Sequence, residues 1–231
     1  MNAPTRAPAQ LRCDSAEIRR GIDLLFEPGS TVEVRVPIHK QRTVSGYFDD
    51  FAKLAAAIEA AERYGASGIY YTLNPVNPAL LGRYYNRLQD YAKYTTSDLD
   101  IVKRRWLPVD LDGTRPAGIS ASATEHEAAL ERARLIRQEM ASEWGPAVLA
   151  DSGNGAHLLF PIDLPNDADA LAYVSGALVE LKRRYPDGVV KIDTTSSNSA
   201  RIWKAYGTTA RKGDSIPARP HRISRILEVL R

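Results

Sequence analysis

The sequence is poor in the residues that staple or anchor a protein. Its single cysteine, Cys13, rules out an intramolecular disulfide framework and any cysteine-rich zinc site, and it fits a reducing cytosol. No apolar run is long enough to cross a bilayer and no apolar h-region stands near the start, so a soluble, cytoplasmic protein with no membrane partner is expected. A GxxxxGK[ST] loop is missing, which excludes a helicase or ATPase fused within this chain. There is no internal repeat and no low-complexity segment. Excess charge is scarce as well: a formal net charge of +3 is too small to mark a nucleic-acid binder, so what matters is whether Arg and Lys cluster. What remains is ordinary for a globular protein. The 231 residues, 44% of them hydrophobic, suffice for one large domain or two small ones around a real core.

The most informative stretch is Trp106-Leu107-Pro108-Val109-Asp110-Leu111-Asp112, a strand whose end turns from apolar to acidic. Alternation points Asp110 and Asp112 to one face while Val109 and Leu111 point into the layer beneath. Two adjacent carboxylates repel each other unless a divalent cation or water covers both, and oxygen-only ligation suits Mg²⁺ or Mn²⁺. The plain alternative is a strand ending in a solvated Asp-Gly turn.

Ahead of that strand, residues 1–14 are Pro/Ala-rich and read as a flexible arm, with Cys13 incidental within it. Ser15 to Leu25 suits a short helix, Thr31 to Val36 a strand, and Thr43 to Phe48 its partner across a basic loop, His39-Lys40-Gln41-Arg42. Asp49 or Asp50 can cap a helix with Phe51, Leu54, Ala55, Ile58 and Ala61 on one face, and Ile69 to Leu73 reads as a strand. Pro78 to Tyr94 interleaves Arg83, Tyr84, Tyr85, Arg87, Tyr91, Lys93 and Tyr94, a candidate path for single-stranded nucleic acid. The favoured reading of its tyrosines is an amphipathic helix with Leu81, Tyr84, Leu88 and Tyr91 facing the core. Lys103-Arg104-Arg105 reads as a solvated face.

Beyond Asp112, Ser122 with Glu125 and Thr124 with Glu127 offer overlapping capping boxes for a helix carrying Ala129, Ala133, Ile136, Met140 and Trp144. Strands follow at 147–150 and 156–162, then a helix opened by Asn166 with Leu171, Val174, Leu178 and Leu181 inward, then a strand at 189–193. This order is the βαββαβ pattern of a ferredoxin-like or RNA-recognition-type sheet. The expected architecture is therefore α/β (α+β): an N-terminal αβ lobe over 15–104 packed on an RRM-like lobe over 105–231.

In such a sheet the first and third strands are central and antiparallel. The acids therefore lie near the turn Ser152-Gly153-Asn154-Gly155 and His157, whose glycine amides and polar side chains could receive an anion. Lys191-Ile192-Asp193 ends another apolar strand, with Arg201, Lys204, Arg211 and Lys212 downstream. The basic residues could neutralise a triphosphate, although a solvated loop explains the last two. An ideal register sends the end of that strand to the opposite edge, so pattern alone does not bring Asp193 to Asp110 and Asp112.

Together, Val109-Asp110-Leu111-Asp112, the turn from Ser152 to His157, and Ile192-Asp193 resemble the three motifs of the archaeo-eukaryotic primase superfamily, in its plasmid, phage and helicase-associated branch. Arg201 to Gly207-Thr208, Ser45-Gly46-Tyr47-Phe48 and Tyr71 to Pro75 also look like this branch, and the likeness covers roughly residues 31–225. The resemblance implies that the three acids converge and bind two divalent ions, about 3.5–4 Å apart. It implies that Ser152, Gly153, Asn154, Gly155 and His157 grip the β- and γ-phosphates of an NTP or dNTP, helped by Arg201 and Lys204. It further implies a single-stranded DNA template and primer, a helicase as partner in trans, no zinc, and a prokaryotic, plasmid or phage origin. Two rivals remain. One is a non-catalytic single-strand-binding RRM-like module, which would carry aromatics where this sheet carries acids. The other is a nucleotide cyclase or replication-initiator nuclease, the latter lacking its paired histidines here.

Overall fold

The computed structural model describes residues 11–38 and 42–229, whose strands form a four-stranded sheet, a five-stranded sheet and a two-stranded ribbon, with the first two helices sharing a core with both larger sheets. The expected arm lies mostly outside the described residues, as do residues 39–41 of the basic loop. Asp14 caps α1 (Ser15–Leu25) by accepting from Glu17 N–H, and Cys13 packs against the core. β1 (Val32–Ile38) and β2 (Arg42–Phe48) form a full antiparallel ladder. Val32, Val34, Val36, Val44 and Phe48 face α1 and α2 (Phe51–Ala61), because strict alternation leaves one apolar face that the two helices cover. Asp50 caps α2, accepting from the N–H groups of Ala52 and Lys53. β3 (Tyr70–Thr72) follows at the other side of β1.

The second sheet starts at β4 (Lys103–Gly113). α3 (Ala123–Trp144) then opens on the Ser122–Glu125 capping box, and β5 (Val148–Asp151), β6 (Gly155–Pro165), α4 (Ala168–Arg184) and β7 (Val190–Ile192) complete the expected order. β8 (Ile202–Lys204) crosses back to pair with β3, giving the first sheet the order β2-β1-β3-β8. β9 (Thr209–Ala210) pairs with β10 (Arg222–Ile223), and β11 (Arg225–Glu228) adds an edge, so the second sheet runs β11-β5-β6-β4-β7. Apart from β11 this is the ferredoxin-like order. Among the described residues no helix is long and apolar enough to cross a membrane.

Several expectations are corrected. The amphipathic helix over 78–94 is absent: a single 3₁₀ turn at Pro78–Gly82 is followed by an irregular strip along β2, and Tyr91, assigned to the core, is exposed. α4 is capped by Asp167, not Asn166, whose amide donates instead to the carbonyls of Asp98 and Ile101, and Leu171 points outward. Arg104 is no solvated residue either. It is buried and donates to Ser197 O at 2.7 Å.

Candidate active site

Strand register assembles the acids. Asp110 stands opposite His157 and Asp112 opposite Gly155 across the β4–β6 ladder. On the other flank β7 is only three residues long and pairs antiparallel with the end of β4, with Leu111 opposite Ile192. Asp193 therefore leaves the ladder beside Asp110, and its N–H donates to Asp110 O at 2.9 Å. β7 pairs only with the last residues of β4, so its end reaches Asp110 rather than the start of β4, where an ideal full-length pairing would put it. All three carboxylates border a cavity of about 720 Å³ that also carries Lys182, Tyr185 and Lys191. They border a second one of about 450 Å³ as well, whose walls carry Ser152, Asn154, His157, Arg201, Lys204 and Lys212.

The three acids differ in their partners. Asp112 faces Arg115 Nη2 at 3.1 Å and Lys212 Nζ at 3.9 Å. Asp193 accepts from Arg201 Nη2 at 2.9 Å and from the N–H and hydroxyl of Thr195. Asp110 has only His157 Nε2 at 3.6 Å, too long for a hydrogen bond. Burial, then repulsion from Asp112 and in lesser part Asp193, pushes the Asp110 carboxyl up to about 7, with Lys212 and Arg201 pulling the other way.

His157 is buried, and burial followed by the charges of Lys204 and Lys212 pulls it down to about 3. The ring lies 4.1 Å from that of Trp203, centroid to centroid. Trp203 Nε1–H donates to Tyr206 Oη at 3.1 Å, and the same oxygen is 3.0 Å from His157 Nδ1. The hydroxyl can accept from the indole while donating to Nδ1, the pairing in which Nε2–H faces Asp110 and the smaller cavity. Lys204 is also buried, and loss of solvent pulls it down to about 7; Nζ donates to Thr209 O at 2.8 Å.

The turn from Ser152 to Gly155 differs from expectation. Gly153 N–H donates to Asp151 Oδ1 at 2.6 Å, Gly155 N–H to Ser152 Oγ at 2.9 Å, and Asn154 Oδ1 accepts from Ala121 N–H at 2.9 Å. The two glycine amides are thus engaged within the turn rather than offered to an anion, while Ser152 and Asn154 still border the cavity. Gly155 serves close packing instead: a Cβ there would lie 2.1 Å from Leu111 O and 2.8 Å from Asp112 Oδ1. Arg115, Tyr206 and Trp203 escaped sequence reasoning, and Lys212 was set aside as solvated. Arg115 had a local signal in its spacing of three from Asp112. The others arrive through the pairings of β8 and β9, which no local pattern announces.

Among the described residues no three Asp, Glu, His or Cys side chains are drawn together as a preformed metal cage, because Asp112 and Asp193 are turned to guanidinium groups. The donor set nevertheless suits a hard cation. It is carboxylate oxygen without thiolate, and the raised Asp110 carboxyl marks a repulsion that a divalent ion would relieve.

The acids thus sit on β4 and just past β7, toward one edge of the five-stranded sheet. Neither a protein-family model nor a curated protein matches the sequence. Among solved structures the chain is similar to primase RepB', with a TM-score of 0.51 and 12% identity over 93% of this chain and 56% of that one. It is also similar to the polymerase domain from Mycobacterium tuberculosis Ligase D in complex with DNA, with a TM-score of 0.49 and 15% identity over 90% of this chain and 79% of that one. The chain thus spans little more than half the length of primase RepB'. At such identities the likeness is one of fold.

Proposed function

We propose that the chain is a DNA primase/polymerase, a nucleotidyltransferase that joins an NTP or dNTP to a primer or initiating nucleotide on single-stranded DNA. The observation that carries this reading is the meeting of Asp110, Asp112 and Asp193 on the shared wall of two cavities that both carry cations. These acids would hold Mg²⁺ or Mn²⁺, which when bound lowers the pKa of the attacking hydroxyl and neutralises the leaving pyrophosphate. In the smaller cavity Lys204, Arg201 and Lys212 supply positive charge for a triphosphate, Ser152 adds a hydroxyl, and His157 donates through Nε2–H. The larger cavity, with Lys182 and Lys191, is placed to take the nucleotide that carries the 3′-hydroxyl.

The test is incorporation of labelled nucleotide on a single-stranded template, with and without primer, comparing NTP with dNTP in Mg²⁺ and Mn²⁺. Asp110→Ala and Asp112→Ala are expected to abolish extension while template binding persists. Normal extension by Asp112→Ala would overturn the assignment. DNA binding indifferent to divalent ions, without incorporation, would favour the non-catalytic binding module.

A further inference from the structure

Residues 83–94 lie as an irregular strip along the outer edge of β2, and backbone bonds hold it there. Ser45 and Gln89 exchange N–H···O bonds of 3.1 and 2.7 Å, Tyr47 N–H donates to Tyr84 O at 3.2 Å, and Ala92 N–H donates to Thr43 O at 2.9 Å. The approach is close: a Cβ on Gly46 would stand 2.2 Å from Arg87 O, so only glycine fits beneath the strip. With its backbone spent on β2, the strip turns rings outward. Tyr85, Tyr91 and Tyr94 are 62%, 72% and 57% exposed. Tyr91 also has φ +51°, a left-handed value unusual for a bulky side chain, although its ring gains no burial. Arg42 lies 5.0 Å from the Tyr91 ring, and Lys93 and Arg83 lie 5.3 and 5.9 Å from that of Tyr94.

We propose that this strip is a platform for single-stranded nucleic acid, with bases stacking on Tyr91 and Tyr94 and phosphates meeting Arg87 and Lys93, while Arg42 is held by Asp90 in an ion pair beneath the Tyr91 ring. Exposed rings interleaved with cations match a partner that alternates flat π-faces with negative charge. β2 is three strand spacings, roughly 14 Å, from β8, which carries Lys204, so a strand bound along the strip lies a few nucleotides from that cavity. Naming that strand the template rests on the proposed polymerase activity; its binding to the strip does not.

The test is fluorescence anisotropy of a labelled single-stranded oligonucleotide in EDTA, without nucleotide, so that it reads the strip whether or not the chain polymerises. Tyr91→Ala with Tyr94→Ala is expected to raise Kd about tenfold or more, and Tyr91→Phe with Tyr94→Phe to leave it within twofold, because the ring and not the hydroxyl stacks. Thermal melts of both variants should match the parent, since the rings are exposed. An unchanged Kd in the alanine pair overturns the proposal and leaves the face to a protein partner. Loss in both pairs would overturn stacking as its basis. Failure of the wild-type protein to incorporate nucleotide, with the anisotropy result intact, would sink the polymerase reading alone.

Discussion

Burial of His157 between Trp203 and Tyr206 removes its charge at neutral pH, and the Tyr206 hydroxyl lies within hydrogen-bond distance of Nδ1. A neutral imidazole with its N–H on Nε2 is a directional donor for a phosphate oxygen, weaker than an imidazolium but held in place by the packing around it. His157→Ala is therefore expected to raise the nucleotide KM about tenfold with a smaller change in kcat. Tyr206→Phe should move KM the same way by less, because it frees the tautomer while leaving the ring in place. Steady-state extension at varied nucleotide concentration checks both, and a pure kcat effect of His157→Ala would remove it from the binding role. At this scale the sequence was readable where chemistry rides on alternation: Asp110, Asp112 and His157 share a face because strands have a period of two. Lys212 and Tyr206 were not readable, since each meets the site from a distant segment, whereas Arg115 had a signal in its spacing of three from Asp112.

Among the elements, local signals predicted what local physics decides. The Ser122–Glu125 box starts α3, and alternation sets β1, β2 and β4. They failed where a neighbour's edge competed: the 83–94 strip has helical spacing, but its amides satisfy β2, so edge pairing overrides propensity. The α3 cap also reaches beyond its helix. Glu125 accepts both guanidinium branches of Arg219, at 2.7 and 2.9 Å, tying the C-terminal segment to the start of α3. Arg219, with the Ser122 N–H, pulls the Glu125 carboxyl down to about 2. A folded-state pKa below the ordinary 4.5 means stability fully present above about pH 4.5 and lost as pH falls toward 2. Glu125→Gln is expected to cost about 2 kcal/mol at pH 7, with the gap to the parent closing between pH 4.5 and 2. Urea unfolding across that range checks it. A gap that stays constant with pH would show that the ion pair contributes nothing.

For the molecule as a whole, the division at residues 104 and 105 is one of sequence and not of core. Trp106, Val148, Ala150, Leu159, Trp203, Tyr206 and Ile226 bury their side chains in one cluster with Ile18, Ile22, Leu25, Val34 and Ile58. Polar ties cross the same boundary: Trp106 Nε1–H donates to Leu25 O at 3.2 Å, and Asp14 N–H to Gly207 O at 2.8 Å. β8 is a strand of the first sheet although it follows the last acid of the second. Removing residues 15–104 would re-expose these side chains at about 1.5–3 kcal/mol each, and several together exceed the roughly 5–15 kcal/mol by which a domain is stable. A fragment of residues 105–231 is therefore expected to lack near-UV circular dichroism and a cooperative melt, even though its own sheet holds all three acids. Cooperative unfolding of that fragment would mean that the acid-bearing sheet stands without the first lobe, and that β8 can leave β3 without cost.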